Sequence, residues 1–373
     1  MKDALDFDIV VAGGGPAGIS AAITAARSGA RVALLERGRY PRQKVCGEFI
    51  SSESLGLLGS LLSQIPEAND ALALAPRIEC ARVFVGEQSF EAAITPSAAS
   101  LARYDLDNFL WEAARGAGVE AQQGVEAQEI IDPERGETQV WRVTLSNGTA
   151  VSASVVINAA GRSSRLAPQA GADKDRWIGV KAHFRAIGGI PMTTDLYCFR
   201  GGYCGVQPVL CGSETFVNVC ALVRPERART IEEVLAADAR LRETSRSWEK
   251  ACDTVTTGAV SFRQPQTERD GAFLAGDAAG FIDPFVGDGI AIALRGGSTA
   301  GEIAARVARA EITLAEAHRL YAQRYHAAFD GAFNNARRLR KMLELPEIPR
   351  AALMALMKIP GVAGMAVKAT RSA

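Results

Sequence analysis

Apolar and polar positions follow two different periods along this chain. Residues 7–13 (FDIVVAG) and 31–37 (RVALLER) are short runs of branched apolar side chains, a pattern typical of parallel strands buried on both faces. Between them, residues 16–29 (PAGISAAITAARSG) begin with a proline, continue with alanines and end at a glycine, which predicts a helix. The pattern therefore predicts a strand, a glycine loop, a helix and a second strand.

Shorter alternating patterns predict a different kind of sheet. Residues 77–94 and 177–221 alternate apolar and polar side chains and are rich in β-branched and aromatic residues, which predicts antiparallel strands. Asn147 and Gly148 form a hairpin signal. The last sixty residues have helical periodicity, with a long amphipathic helix expected over residues 320–343.

The apolar segment over residues 351–373 leaves two interpretations open. It is either a helix packed on the core, or a lid or shallow membrane contact near a lipophilic substrate entrance. Lys358 and Pro360 interrupt it, and the chain has no run of about 18 to 20 apolar residues, so no membrane span is expected. We also expect no signal peptide, because the first eight residues carry three aspartates.

Charge and cysteine usage exclude several classes of function. The 42 basic and 42 acidic residues balance, which gives no support for a nucleic-acid partner. The seven cysteines are scattered without a C-x-x-C pair, so we expect a reducing, cytoplasmic location and no disulfide framework. The three histidines lack metal-pair spacing, so no metal site is expected. The length of 373 residues allows one large or two modest domains.

The first glycine loop has dinucleotide-binding spacing. Gly13 makes the tight turn, Gly15 lets a pyrophosphate approach the backbone, and Gly18 lets helix and strand pack closely. The helix N-terminus supplies free N–H groups for the phosphates. Glu36 ends the second strand and is placed to accept hydrogen bonds from an adenosine ribose. This acid favours NAD or FAD over a coenzyme with a 2′-phosphate.

A second glycine-rich segment, residues 272–301, repeats this arrangement. Asp277 follows the predicted strand AFLAG, and a loop with Gly287 and Gly289 leads into a helix. A simple dehydrogenase has no use for this second element. With GGGPAG and Glu36, GDAAGFIDPFVGDGI, YPRQKVCGEFIS (40–51) and SLARYDLDNFLWEAARGAGVE, the chain resembles the FAD-dependent monooxygenase superfamily that includes p-hydroxybenzoate hydroxylase. Within it, the sequence looks closest to the branch of geranylgeranyl reductases and flavin-dependent halogenases.

This resemblance implies an α/β (α+β) fold with a Rossmann-like FAD-binding domain, an interleaved antiparallel substrate domain that roofs a cavity above the flavin, and C-terminal helices. The implied FAD-binding domain is discontinuous (1–76, 98–168 and 258–310), the substrate domain covers 77–97 and 169–257, and 311–373 form the helical segment.

The resemblance also implies where the coenzyme lies. Asp277 would bond the ribitol chain, the helix start near Gly289 and Ile290 would face the flavin pyrimidine ring, residues 40–51 would lie along the flavin, and Arg103 would contact the coenzyme. The complete predicted set of cofactor-binding residues is Gly13, Gly15, Pro16, Ala17, Gly18, Glu36, Arg37, Arg42, Lys44, Gly47, Arg103, Val125, Gly276, Asp277, Pro284, Gly287, Asp288, Gly289 and Ile290.

Four further residues are candidates for the chemistry. Cys46 lies in the flavin-proximal motif and is either catalytic or a thiol packed under the ring. Glu48 is a proton donor or acceptor with a raised pKa, or a carboxylate bonded to the backbone or Arg42. Tyr203 and His183 are candidate substrate contacts, although His183 is most simply a strand histidine.

Two oxidoreductase reactions fit this flavoprotein. The favoured one is monooxygenation of a lipophilic aromatic or olefinic molecule through a flavin C4a-hydroperoxide in a dry cavity. The alternative is reduction of isoprenoid-type C=C bonds. Halogenation is disfavoured because the W-x-W-x-I-P signature is absent. Ala160-Gly161-Arg162-Ser163 replaces the usual Asp-Gly, so the electron donor is either NAD(P)H or a separate reductase or carrier. A non-enzymatic flavin-binding protein is the remaining possibility.

Overall fold

The computed structural model contains two large β-sheets. The structure describes residues 5–133, 140–162, 164–166, 177–186, 189–343, 356–358 and 362–369. Ser163 and most of the apolar segment 351–373 lie outside these residues, and both interpretations of that segment stay predictions. The predicted α/β fold with a Rossmann-like part and a second sheet is confirmed.

The first sheet is built around parallel buried strands. β1 pairs in parallel with β2 and with β9, and β9 pairs in parallel with β17, while β7, β8 and β16 join as antiparallel strands. The central strands are apolar on both faces because helices and loops cover them. Its strands are β1 (Phe7–Ala12), β2 (Val32–Glu36), β6 (Glu120–Gln123), β7 (Ala127–Ile131), β8 (Trp141–Leu145), β9 (Ala150–Asn158), β16 (Glu268–Arg269) and β17 (Ala272–Leu274).

The second sheet is mostly antiparallel, with one parallel exception. β4 and β11 pair in parallel, which corrects the expectation of purely antiparallel strands, because the chain crosses between them through other elements. β3, which the predicted boundaries gave to the FAD-binding part, pairs with the end of β5 in this sheet. Its strands are β3 (Phe49–Ile50), β4 (Arg77–Val85), β5 (Gln88–Ser100), β10 (Ile178–Arg185), β11 (Thr193–Phe199), β12 (Gly202–Cys211), β13 (Glu214–Val223), β14 (Glu249–Lys250) and β15 (Val255–Thr256).

Helices cover the sheets and connect them. The described helices are α1 (Pro16–Arg27), α2 (Ser52–Leu62), α3 (Pro66–Leu74), α4 (Arg103–Gly116), α5 (Ile231–Ala236), α6 (Ala239–Thr244), α7 (Gly289–Ala308), α8 (Leu314–Leu343) and α9 (Val362–Ala369). α8 begins six residues before the predicted start of the long helix, because Thr313 and Glu316 bond each other and cap it. Within the described residues, no helix is long and apolar enough to cross a membrane.

The tightest helix contact joins α1 and α7. A Cβ on Gly297 would lie 2.1 Å from the carbonyl oxygen of Ala17, and one on Gly301 would lie 2.2 Å from that of Ala21. A step of four residues along α7, from Gly297 to Gly301, matches a step of four residues along α1, from Ala17 to Ala21. The two helices therefore run parallel, and their N-termini point the same way. Gly289 precedes Gly297 by eight residues, so α7 extends about 12 Å beyond the start of α1.

Candidate active site

One cavity of about 650 Å³ lies between the two sheets and reaches both glycine-rich motifs. Its lining combines elements that are far apart in the sequence, including the starts of α1 and α7 and the face of the second sheet. Most of the predicted cofactor-binding residues line it, namely Gly13, Gly15, Pro16, Ala17, Glu36, Arg37, Arg42, Lys44, Gly47, Arg103, Gly276, Asp277, Pro284, Gly287, Gly289 and Ile290.

The start of α1 has the form of a phosphate cradle. Gly13 has a φ of 107°, and a Cβ there would lie 2.3 Å from the carbonyl oxygen of Ala159, so only glycine fits. A Cβ on Gly18 would lie 1.8 Å from the carbonyl oxygen of Gly13, which explains the third glycine without placing it in the cavity. At Gly15 a Cβ would meet no described atom within 4 Å, and the first turn carries no acidic side chain. An anion can therefore approach the free N–H groups.

Glu36 is held next to this loop. Its carboxylate accepts hydrogen bonds from the backbone N–H groups of Gly14 (2.8 Å) and Gly38 (2.7 Å), and it pairs with Arg42 at 2.9 Å. The residue is buried, yet it lines the cavity. The Arg42 Nε is buried with no hydrogen-bond partner in the described part of the chain, and it packs against Gly38. Other atoms of Arg42 line the cavity beside Glu36.

The second motif presents an acid and a helix start to the same cavity. Asp277 faces the cavity, where burial raises its pKa and the guanidinium groups of Arg162 and Arg103 partly oppose the shift. The first turn of α7 also lacks an acidic side chain. Asp288, predicted to bind the cofactor, does not line the cavity: it is buried and accepts a hydrogen bond from Ser51 Oγ at 3.1 Å.

Residues 42–49 form the wall between these two motifs, and every one of them lines the cavity. Next to this loop, which carries the predicted flavin-proximal motif, the buried Asp107 makes two bonds to the Arg103 guanidinium (2.6 and 2.8 Å) and one ion pair with Lys44 (2.8 Å). Burial raises the pKa of Asp107, but the two cations outweigh burial and bring the pKa to about 2. Both cations are thus fixed at the cavity edge by one carboxylate.

Glu48 is the centre of a second buried cluster. Its carboxylate contacts Lys181 Nζ at 2.5 Å, His183 Nε2 at 2.7 Å and the backbone N–H of Arg103 at 2.7 Å. Burial alone raises the pKa of Glu48, but Lys181 and His183 outweigh it, so the pKa lies below its ordinary value. The expected raised pKa is therefore wrong in direction. The cause is a lysine that enters from β10.

The remaining candidates divide between cavity and interior. Cys46 and Tyr203 line the cavity; the Cys46 sulfur accepts a hydrogen bond from the Glu48 backbone N–H at 3.3 Å, and the Tyr203 hydroxyl donates to Asp283 at 2.9 Å. His183 and Val125 do not line it. His183 bonds the Glu48 carboxylate, which itself lines the cavity, and a direct contact of His183 with substrate stays a prediction.

Sequence reasoning missed Lys181 and Asn218. The Asn218 amide donates to the backbone carbonyls of Cys46 (3.2 Å) and Gly47 (2.8 Å). A signal for Lys181 was present, since a lysine and a histidine two positions apart interrupt the apolar strand IGVKAHF and share one face of it. Asn218 likewise interrupts the apolar run FVNVCALV, but the loop that it binds could not be inferred from this pattern.

A family model described as "FAD binding domain" matches residues 6–327. The chain belongs to this family. It is an FAD-dependent oxidoreductase, and the predicted resemblance is confirmed. The geometry fits the coenzyme: two helix starts, a glycine cradle and the cationic residues Arg42 and Lys44 all line one cavity. The contacts of individual residues with FAD stay predictions.

Relatives and solved structures give two kinds of similarity to this flavoprotein. It is 28% identical over 355 residues to digeranylgeranylglycerophospholipid reductase 2 of Methanopyrus kandleri (91% of this chain, 87% of that one). It is 25% identical to menaquinone reductase of Mycobacterium tuberculosis (79% and 76%). The fold resembles the flavin-dependent brominase Bmp2 (TM-score 0.80, 19% identity, 98% and 93%). It also resembles a geranylgeranyl bacteriochlorophyll reductase-like protein of Thermoplasma acidophilum (TM-score 0.77, 22% identity, covering 97% of this chain and 95% of that one).

Proposed function

We propose that this flavoprotein is a reductase that saturates carbon–carbon double bonds of an isoprenoid chain. The observation that carries the proposal is the apolar extension of the cavity along the second sheet. Beyond the flavin-proximal loop, side chains of three neighbouring strands line the cavity, namely Ala81, Val83, Phe90, Ala92, Ile94 and Leu196. A lipophilic chain laid against this surface leaves water on entering the cavity.

The relatives favour reduction over monooxygenation. The two relatives named above are reductases of a digeranylgeranylglycerophospholipid and of menaquinone, and both of those molecules carry isoprenoid chains. The sequence alone favoured a monooxygenase and kept reduction as the alternative, so the relatives reverse that preference. The similarity to a brominase is a similarity of fold at 19% identity and carries no argument about the reaction.

Saturation of a double bond needs one hydride and one proton. Bound FAD, once reduced, supplies the hydride. The protein must supply the proton and exclude water, and the Cys46 thiol, which lines the cavity beside the Glu48 backbone, is the proposed proton donor. Tyr203, held by Asp283, is proposed to contact the substrate from the opposite part of the lining. Glu48 is not proposed as an acid, because its neighbours hold it ionised.

The test uses purified, FAD-loaded protein reduced without oxygen and mixed with digeranylgeranylglycerophospholipid. We expect the yellow flavin absorbance to return as the lipid gains two hydrogens per double bond in mass spectrometry. If the flavin stays reduced until oxygen is admitted, and the lipid then gains an oxygen atom, the monooxygenase reaction is correct instead. Parallel reductions with NADH, NADPH and a reduced electron carrier identify the donor.

A membrane contact near the cavity remains part of the proposal. The last turns of α8 carry the exposed basic residues Arg337, Arg338 and Lys341, and Leu356 and Met365 are 49% and 65% exposed. Leu339 and Met357 from the same region line the cavity. Basic and apolar groups together suit an anionic lipid surface. Sedimentation of the protein with vesicles of anionic or neutral phospholipid tests this contact.

A further inference from the structure

Glu48, Lys181 and His183 form a buried cluster of ionisable side chains in which Glu48 lines the cavity. Their exposed fractions are 0%, 1% and 2%. A carboxylate in such surroundings is stable only when cations or hydrogen-bond donors satisfy it. Here Lys181, His183 and a backbone N–H all point at it, and Lys181 also donates to Gln43 Oε1 at 2.9 Å.

Glu48 also has an unusual backbone. Its φ is 59°, in the left-handed region that side chains other than glycine rarely adopt. Such a conformation persists when the surroundings fix it from several sides. The side chain is fixed by β10, and the carbonyl oxygen accepts a hydrogen bond from Ser100 Oγ at 3.2 Å, which in turn accepts one from Gln207. These contacts fix the position of Glu48, the residue that directly follows the turn at Cys46–Gly47.

The same face of the second sheet also binds the turn residues Cys46 and Gly47 themselves. Asn218 lies directly opposite His183 in the β10–β13 pairing, and its amide binds the carbonyls of Cys46 and Gly47. Two adjacent strands therefore hold the flavin-proximal loop: β10 bonds the side chain of Glu48, and β13 bonds the main-chain carbonyls of Cys46 and Gly47. This loop forms the cavity wall between the two helix starts.

We propose that Lys181 and His183 are positioning residues that hold the Glu48 carboxylate in place and so fix the Cys46–Gly47 turn in the shape that binds FAD. The second sheet, which lies outside the coenzyme-binding sheet, thus sets the geometry of the coenzyme site. This role does not depend on whether the reaction is reduction or oxygenation. Other charged or titratable groups also face Glu48, namely Asp105 and Arg103 on α4, Cys211 on β12, Cys220 on β13 and Cys46 in the loop.

The experiment measures the Kd of FAD by fluorescence from about pH 5 to pH 8 for the wild type and for Lys181→Met. The matched control is Lys250→Met, on β14 of the same sheet, whose ion pair with Glu232 is exposed. At pH 8 we expect Lys181→Met to bind FAD about tenfold more weakly, because Glu48 loses its cation. Binding should recover towards pH 5 as the cluster takes up a proton. The control should follow the wild type.

Three further variants test the proposal. Glu48→Gln/Lys181→Met removes the carboxylate of this cluster, so the added pH dependence should disappear. His183→Gln retains an N–H donor and should bind FAD more tightly than His183→Leu. The proposal is overturned if Lys181→Met matches Lys250→Met at every pH, or if the double variant keeps the pH dependence. It is also overturned if His183→Gln and His183→Leu bind FAD equally. If Lys181→Met fails to fold, the comparison of these two His183 variants is the test of the proposal.

Discussion

The carboxylate of Glu36 holds two backbone amides of the first motif and pairs with Arg42. We expect Glu36→Ala to weaken FAD binding by about 1.5 to 3 kcal/mol, because charge-assisted hydrogen bonds are lost around the adenosine end. Fluorescence titration of the apoprotein measures the change. Glu120→Ala, on the neighbouring strand β6, is the matched control and should leave FAD binding unchanged. Full retention of FAD by Glu36→Ala would contradict the assignment.

Asp107 is a buried carboxylate whose charge should contribute to stability against acid. Because its pKa falls to about 2 in the folded protein, its stabilising contribution is complete above its ordinary pKa and is lost as the pH falls from about 4 towards 2. Asp107→Asn leaves Arg103 and Lys44 without their carboxylate and should lower the free energy of unfolding by about 3 to 5 kcal/mol at neutral pH.

Urea denaturation across that pH range measures the effect of Asp107→Asn. The difference from the wild type should shrink as the pH falls. Glu112→Gln on the same helix is the control, since its pair with Arg115 is exposed and should contribute about 0 to 1 kcal/mol. An equal loss in both variants at neutral pH would show that burial of Asp107 has no special role.

At the residue scale, sequence reasoning identified the glycines and acids of the two motifs because their spacing follows from local backbone geometry. It gave Glu48 the wrong pKa direction because Lys181 and His183 are more than 130 residues away along the chain. Local sequence cannot supply the charges that surround a buried group. The burial of Asp288 away from the cavity has a related reason, since its partner Ser51 is the N-cap residue of α2, far away in the sequence.

At the scale of elements, α7 depends on two glycines to approach α1. Gly297→Ala should lower the free energy of unfolding by about 1 to 3 kcal/mol, because its Cβ would overlap the Ala17 carbonyl and force the helices apart. Gly331→Ala on α8 is the matched control: a Cβ there meets no described atom within 4 Å, so the substitution should stabilise the helix by about 0.5 to 1 kcal/mol. Thermal unfolding measures both changes, and we expect a lower melting temperature for Gly297→Ala and a higher one for Gly331→Ala.

The strands and helices themselves were the most predictable part of the molecule. α1, α7, β1 and β2 follow from hydrophobic period, proline and glycine positions, and the hairpin turn at Asn147–Gly148 joins β8 to β9 as expected. The parallel pairing of β4 with β11 and the assignment of β3 to the second sheet were not predictable, because pairing partners depend on the path of the whole chain.

At the scale of the whole molecule, the two sheets share one cavity, and its apolar end should determine which substrates fit. Ala81 and Ala92 face each other on β4 and β5 and leave space that larger side chains would fill. If the proposed reductase activity is correct, Ala92→Phe should lower turnover of a geranylgeranyl lipid about tenfold while FAD content stays unchanged. Ala93→Phe, on the exposed face of the same strand, should have no such effect.

The offset between α1 and α7 sets the spacing of the two helix starts that line the cavity. Because the glycine contacts fix one helix against the other, the two positive helix ends stay about 12 Å apart along their shared direction. With phosphates expected at the start of α1 and a flavin ring at the start of α7, this spacing corresponds to the ribityl chain that joins ring and phosphate. A substitution that moves α7 along α1 should therefore weaken coenzyme binding even though it touches no coenzyme atom.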